Sequence, residues 1–342
     1  MKILVTGGSG FIGSNFVKTA LKHNHSVINV DALTYASSTA TLKSLADNSN
    51  YYFYHLDIRD KASVEQIVKA HLPDAIVHLA AESHVDRSIS SPNEFIQTNI
   101  VGTFNLLEIA LSYWKNLKNE KPFRFIHVST DEVFGSLPID PSVKFHEKSS
   151  YKPNSPYSAT KASSDHLVRA WNRTYGMPTI ITNCSNNYGP YQFPEKLIPV
   201  VILNAIKKQQ IPIYGKGQNV RDWLYVGDHA NALLKILEDG VTGENYNIGG
   251  NSEISNIDLV KHICAILDDK VPLTSGSYSD LITFIDDRPG HDLRYAINAN
   301  KLMTELNWSP SESLVSGLKK TVEWYLNNEC WWKPLLKSHP RN

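Results

Sequence analysis

"VTGGSGFIGS", residues 5–14, is the stretch whose reading decides the fold. The apolar residues before it, Ile3–Val5, form a short strand, and an amphipathic stretch starts at Phe11. Gly7, Gly10 and Gly13 recur every third residue between the two. Gly7 permits a tight turn, Gly10 lets the backbone approach a pyrophosphate, and Gly13 lets helix and sheet pack closely. The helix start then aims free N–H groups at phosphate oxygens. Asp31 ends the next apolar run, 18 residues after Gly13. A carboxylate there suits the ribose hydroxyls of NAD and repels the 2′-phosphate of NADP. The residues that follow, Ala32, Leu33 and Thr34, bring no cation. NAD is therefore the expected cofactor, in preference to a bare glycine turn with a capping Asp.

Outward from this start, apolar runs at 27–30, 51–55, 75–79 and 125–128 alternate with amphipathic stretches at 11–23, 61–71 and 93–114. Such alternation predicts a parallel sheet covered on both faces. After about residue 185 the rhythm changes, and "NNYGPYQFPEK" has loop composition. The reading is an α/β chain with a doubly wound parallel, Rossmann-type sheet and a smaller mixed α/β substrate-binding lobe. Residues 1–185 form the NAD-binding domain. Residues 186–342 form mainly the lobe, with segments crossing back to the sheet.

The bulk numbers bound the function. Lys+Arg and Asp+Glu balance at 34 each, so no general attraction for nucleic acid or anionic lipid is expected. Cys184, Cys264 and Cys330 are few, odd in number and far apart, which argues against a disulfide framework or structural zinc. The start "MKILVTGG" has no long apolar region, and no stretch is apolar enough to span a bilayer. These features predict a cytoplasmic protein without membrane partners. His84 and His291 have no ligand-type spacing, so no metal is expected.

"SPYSATKASSDH", residues 155–166, places Tyr157 and Lys161 four apart, on one face of a helix. A nearby ammonium and an oxidised nicotinamide would favour the phenolate and let Tyr157 deprotonate an alcohol. "VSTDEVFG", residues 128–135, ends a buried strand in Thr130 and two adjacent acids, Asp131 and Glu132. Neighbours on a regular strand face apart, so both reach one ligand only if the chain turns at about residue 131. Solvated acids at a capped helix start are the alternative.

Taken together, these residues resemble the extended short-chain dehydrogenase/reductase superfamily and, within it, the dTDP-glucose 4,6-dehydratase family. The similarity runs nearly end to end. It rests on "LAAESHVDRSI" (79–89), "STDEVFG" (129–135), "SPYSATKASSDHLVRAW" (155–171), "TNCSNNYGPYQFPEKLIP" (182–199), "PIYGKGQNVRDWLYV" (212–226) and "DRPGHDLRYAI" (287–297). The resemblance implies oxidation of a hexose at C4, loss of water across C5–C6 and return of hydride to C6. It gives Tyr157 the C4 hydroxyl proton, Glu132 the C5 proton, Asp131 the proton for the departing C6 hydroxyl, and Thr130 a hydrogen bond to the C4 oxygen.

Binding residues are implied in the same way. Phe11, Ile12, Asp57, Ile58, Leu79, Ala80, Ala81, Ser83, Thr98, Tyr157, Lys161 and Asn187 would join the glycines and residues 31–34 around NAD. Ser83, Thr130, Asn186, Lys196, Leu197, Pro212, Ile213, Tyr214, Arg221, Asn256, Asp287, Arg288, Pro289, Gly290 and His291 would face the sugar nucleotide, dTDP-glucose first. Lys196, Arg221 and Arg288 suit the diphosphate. Pairing of Arg221 with Asp222 is the plainer option. Ala32, Ser38 and Phe134 depart from the family pattern, where Lys, Asn and Tyr are usual. The resemblance leaves open a UDP-glucose donor or a 4-epimerase on the same scaffold. It also implies a homodimer pairing the helices at 93–114 and 156–175. The tandem Trp331-Trp332 suits packing on the body or a partner contact.

Overall fold

Short apolar strands with no polar alternation need cover on both faces, and the chain alternates them with helices that supply it. The computed structural model describes residues 1–117, 122–287 and 291–338, with residues 337 and 338 described by backbone alone. The first half runs β1 (Lys2–Thr6), α1 (Phe11–Lys22), β2 (Ser26–Asp31), β3 (Tyr51–His55), α2 (Lys61–His71), β4 (Ala75–His78), α3 (Val85–Ser90), α4 (Pro92–Phe95), α5 (Thr103–Lys115), β5 (Arg124–Thr130), α6 (Pro156–Tyr175) and β6 (Thr179–Cys184). The second half runs β7 (Asn186–Tyr188), α7 (Leu197–Ile206), β8 (Ile211–Tyr214), β9 (Val220–Tyr225), α8 (Val226–Asp239), β10 (Asn245–Ile248), β11 (Glu253–Ser255), α9 (Asn256–Lys270), β12 (Ile282–Ile285), α10 (Asn300–Leu306), α11 (Leu314–Asn327) and α12 (Glu329–Ser338).

Seven strands form one parallel sheet in the order β10-β6-β5-β4-β1-β2-β3. The order reverses between β1 and β4, which opens a crevice at their carboxyl ends. One face of the sheet packs on α1 and α8 through Phe16, Val17, Leu233 and Leu237; the other packs on α2, α5 and α6 through Val64, Leu107 and Val168. The lobe has its own core, from Ile198 and Ile263 to Tyr325 and Trp332. It holds a three-stranded sheet, β11-β9-β7, and a two-stranded one, β12-β8. The chain is not cut cleanly at residue 185: β10 pairs in parallel with β6, so the main sheet takes its last strand from the second half.

Residues 93–114 are not one regular helix. A wide, π-helical stretch at Ile96–Gly102 separates α4 from α5. The extra width turns Asn99 inward, where its side chain bonds the Glu82 backbone and Thr160 Oγ1. Gly102 lies against Ile58, whose Cδ1 would stand 2.5 Å from an added Cβ. The stretch thus trades helical regularity for a grip on the loop beside the crevice, as such widenings often do. By contrast α6 matches its predicted limits because local signals fix both ends. Ser155 and Ser158 form a reciprocal cap, Pro156 occupies the first turn, and Gly176 closes the helix at φ 72°.

Candidate active site

The crevice is a cavity of about 400 Å³ at the carboxyl ends of the strands. Its floor is the glycine turn. An added Cβ at Gly7 (φ 73°) would stand 2.6 Å from the Ala80 nitrogen, and one at Gly13 only 2.1 Å from the Gly7 oxygen. At Gly10 it would meet only that same oxygen, at 3.3 Å, so the floor stays low and open there. Asp31 accepts the N–H groups of Ser9 and Leu33, each at 2.8 Å. Burial raises its pKa and those two N–H groups oppose the rise. Each oxygen keeps a lone pair for a further donor such as a ribose hydroxyl. A bare floor, a helix start and a carboxylate at the far end fit a dinucleotide.

Most of the sequence-predicted cofactor residues meet here. Gly7, Gly10, Phe11, Ile12, Gly13, Asp31, Ala32 and Thr34 line the cavity, as do Asp57, Ile58, Leu79, Ala80, Ala81, Ser83, Thr98, Tyr157, Lys161 and Asn187. Leu33 does not line it. Its φ of 51° carries the backbone past the cavity, and it acts through the N–H given to Asp31. The altered positions are quiet. Ala32 O accepts from His55, Ser38 caps the 3-10 turn at Thr39–Leu45, and Phe134 packs against Phe145 and Tyr151.

The chain does turn after Thr130. A 3-10 turn spans Asp131–Phe134, and Thr130 Oγ1 accepts the Glu132 N–H at 3.3 Å. Thr130, Glu132 and Tyr157 share the cavity wall. Asp131 lies just behind it, 1% exposed, with Thr130 Oγ1 at 3.4 Å from one carboxylate oxygen and no donor at the other. Burial, then the charge of Glu132, push its pKa well above the usual carboxylate range. A buried oxygen without a donor favours the protonated acid for the same reason. The Tyr157 phenol is also pushed up by burial and by Glu132, while a hydrogen bond with Thr130 works the other way. Lys161 is buried and gives its ammonium to Val128 O at 2.8 Å.

The raised pKa of Asp131 has a stability consequence. A carboxyl that is easier to protonate when folded stabilises the fold fully below its unfolded pKa, and this contribution is lost as pH rises through the folded value. Asp131→Asn removes that loss. The variant should therefore gain melting temperature relative to the parent as pH is raised from about 4 upward. Thermal melts across pH check this; a constant difference would mean that Asp131 titrates normally.

The predicted sugar-nucleotide residues divide. Ser83, Thr130, Asn186 and Lys196 line the cavity. Leu197, Pro212, Ile213, Tyr214, Arg221, Asn256, Asp287 and His291 do not; they stand on the lobe, at the start of α7, on β8 and β9, at the start of α9 and beyond β12. His291 Nδ1 lies 2.7 Å from Asp287 and its ring meets Tyr214 edge-on. Arg288, Pro289 and Gly290 lie outside the described residues. Arg221 stacks over Tyr295 at 4.3 Å and donates to the carbonyls of Val220, Asp292 and Leu293. Asp222 instead takes the N–H groups of Gly250 and Ser252.

The cavity also holds residues that the sequence reading missed. Arg59, which binds Asp57 through two nitrogens, had no sequence signal beyond its place after the third strand. Glu82, Gln192 and Phe193 lie within quoted motifs and could have been added from them. The Cys184 thiol is pushed up to about 12 by burial and is not poised as a nucleophile. The tandem tryptophans pack on the body. Trp332 donates to Tyr325 O, and Trp331 donates to Thr41 Oγ1 at 3.0 Å, across to the segment after β2. Among the described residues no His, Cys, Asp and Glu group could hold a metal, and no helix is long and apolar enough to cross a membrane.

Comparison with known proteins places this geometry. The family described as GDP-mannose 4,6 dehydratase matches residues 4–321. The dTDP-glucose 4,6-dehydratase of Neisseria meningitidis serogroup B is 56% identical over 346 residues, covering 99% of this chain and 97% of that protein. Two solved structures are similar throughout. The dTDP-glucose 4,6-dehydratase of Streptomyces venezuelae with NAD and dTDP bound has a TM-score of 0.89 at 43% identity, over 98% of this chain and 100% of that one. That of Bacillus anthracis with NAD has 0.87 at 44%, over 98% and 99%.

Proposed function

The chain belongs to the dTDP-glucose 4,6-dehydratase family, and from that premise we propose that its cleft dehydrates dTDP-glucose to dTDP-4-keto-6-deoxyglucose with NAD as resident cofactor. Bound there, NAD would supply reversible hydride transfer, out from C4 of the hexose and back to C6. The glycine floor, Asp31 and the Lys161 ammonium would hold it.

The proton chemistry falls to side chains. Tyr157 first gives up its phenolic proton to solvent, favoured by the Lys161 ammonium, and the phenolate then accepts the C4 hydroxyl proton while the Thr130 hydroxyl hydrogen-bonds the C4 oxygen. A ketone at C4 acidifies the hydrogen on C5, which Glu132 removes. Asp131 gives its proton to the C6 hydroxyl, which departs as water. Glu132 then returns a proton to C5, and the proton left on Tyr157 restores Asp131 through solvent. The cycle closes with one water lost and no net redox change. One base and one neutral acid side by side are what the elimination requires. The single observation that carries this reading is the turn at Asp131–Phe134, which puts Glu132 on the wall beside Thr130 and Tyr157 and leaves Asp131 buried behind them, where burial and the Glu132 charge raise its pKa.

Incubation with dTDP-glucose, followed by mass and NMR analysis, tests it. The expected product is lighter by one water and carries a C6 methyl and a C4 ketone. A product of unchanged mass with C4 inverted would mean epimerisation and would overturn the reading. UDP-glucose in parallel tests the base: a marked preference for the thymidine donor is expected.

A cytoplasmic homodimer goes with the proposal. NAD and nucleotide sugars are intracellular metabolites, and the described cysteines form no disulfide. Ile96, Val101 and Phe104 on the π-helical stretch and α5, with Tyr175 at the end of α6, expose apolar surface that a second copy would cover. Light scattering should give twice the monomer mass, and Phe104→Glu should halve it.

A further inference from the structure

Behind the Tyr157–Lys161 pair lies a carboxylate that none of the proton transfers uses. Asp165 follows Lys161 by one turn of α6 and is 1% exposed. We propose that Asp165 is a positioning residue, the fixed counter-charge that keeps the buried Lys161 an ammonium at the cavity wall. The inference rests on the dehydratase reading for its purpose, and on geometry for its content.

Three donors from three segments converge on one oxygen of Asp165. Ser129 Oγ on β5 reaches it at 2.9 Å, Tyr151 OH at 2.8 Å and Asn183 Nδ2 on β6 at 3.2 Å. These three bonds fix the carboxyl in place. Ser129 is also the next residue after Val128, whose carbonyl receives the Lys161 ammonium at 2.8 Å. The same two strands therefore fix the anion and aim the cation. The remaining ionisable groups cannot take this part. The second oxygen of Asp165 faces His127 Nε2 at 3.2 Å, off the line of a good hydrogen bond. Burial lowers the pKa of both His127 and His78, which disfavours a charge on either. The Cys184 thiol and the Tyr151 and Tyr157 phenols are held up by burial and stay uncharged in the resting protein. Asp131 and Glu132 change protonation during turnover. Burial pulls the Lys161 ammonium down, and Asp165 is first among the charges opposing it.

The test follows Lys161 itself by NMR of 13Cε-lysine-labelled protein, with no substrate present. In the parent, Lys161 should still carry its proton at neutral pH, although burial lowers its pKa. Asp165→Asn should lower its pKa by about 1–3 units, and the alkaline limb of kcat should move down with it. Ser129→Ala, which removes one donor and keeps the charge, should leave the Lys161 titration in place. A folded Asp165→Asn protein with an unmoved Lys161 pKa would overturn the proposal. If that variant does not fold, the parent decides: deprotonation near neutrality would equally overturn it. Because the titration needs no turnover, it is separate from the product assay that judges the dehydratase reading.

Discussion

Glu132→Gln is expected to lower turnover of dTDP-glucose by about 10²–10⁴, the usual range for removing a general base. The amide keeps the shape of the 3-10 turn and its cap on Thr130, so folding should survive. What it loses is the ability to accept the C5 proton. Two isotopic readouts separate this from a general loss of the site. In heavy water the parent should place deuterium at C5 of the product, since Glu132 returns a solvent-equilibrated proton there. In the variant, C5 exchange should fall together with turnover. Deuterium at C5 of the substrate should slow the variant more than the parent, because proton removal becomes the limiting step. If Glu132→Gln exchanges C5 at the parent's rate, another group is the base and the elimination scheme fails.

Tyr157→Phe should cost a similar factor, about 10²–10⁴, at a different step. The ring stays packed edge-on against Phe95, so the loss is confined to the hydroxyl. C4 oxidation then becomes limiting, and deuterium at C4 should slow the variant more than the parent. Deuterium at C5 should have little effect, the reverse of the pattern for Glu132→Gln. The parent should also gain activity as pH rises toward neutrality and beyond. Burial and the Glu132 charge both resist loss of the phenolic proton, and higher pH lowers that cost. A Tyr157→Phe protein with unchanged kcat would remove the phenol from the oxidation step.

The Rossmann-type half was legible because its signals are local. A glycine every third residue, apolar runs of strand length and capping residues around 155–176 each act within a few positions. The Tyr157–Lys161 pair was legible for the same reason, since helical period alone sets its spacing. The need for a bend at residue 131 also followed from strand geometry, and a turn stands there. The interrupted helix at 96–102 was not legible. Its cause is Asn99 reaching the Glu82 backbone and Thr160, contacts 17 and 61 residues away. Arg59 and the path of Leu33 past the cavity were hidden likewise.

By itself, then, the sequence determined a dinucleotide cleft and the family whose motifs it carries, because these depend on short-range period and composition. Tertiary structure decided the rest. It returned β10 to the main sheet, set Trp331 against Thr41, buried Asp131 behind Glu132, and brought Ser129, Tyr151 and Asn183 onto Asp165. The physical reason is that burial and electrostatic pairing belong to groups brought together from distant parts of the chain, and a pKa is set by that company and not by neighbours in sequence.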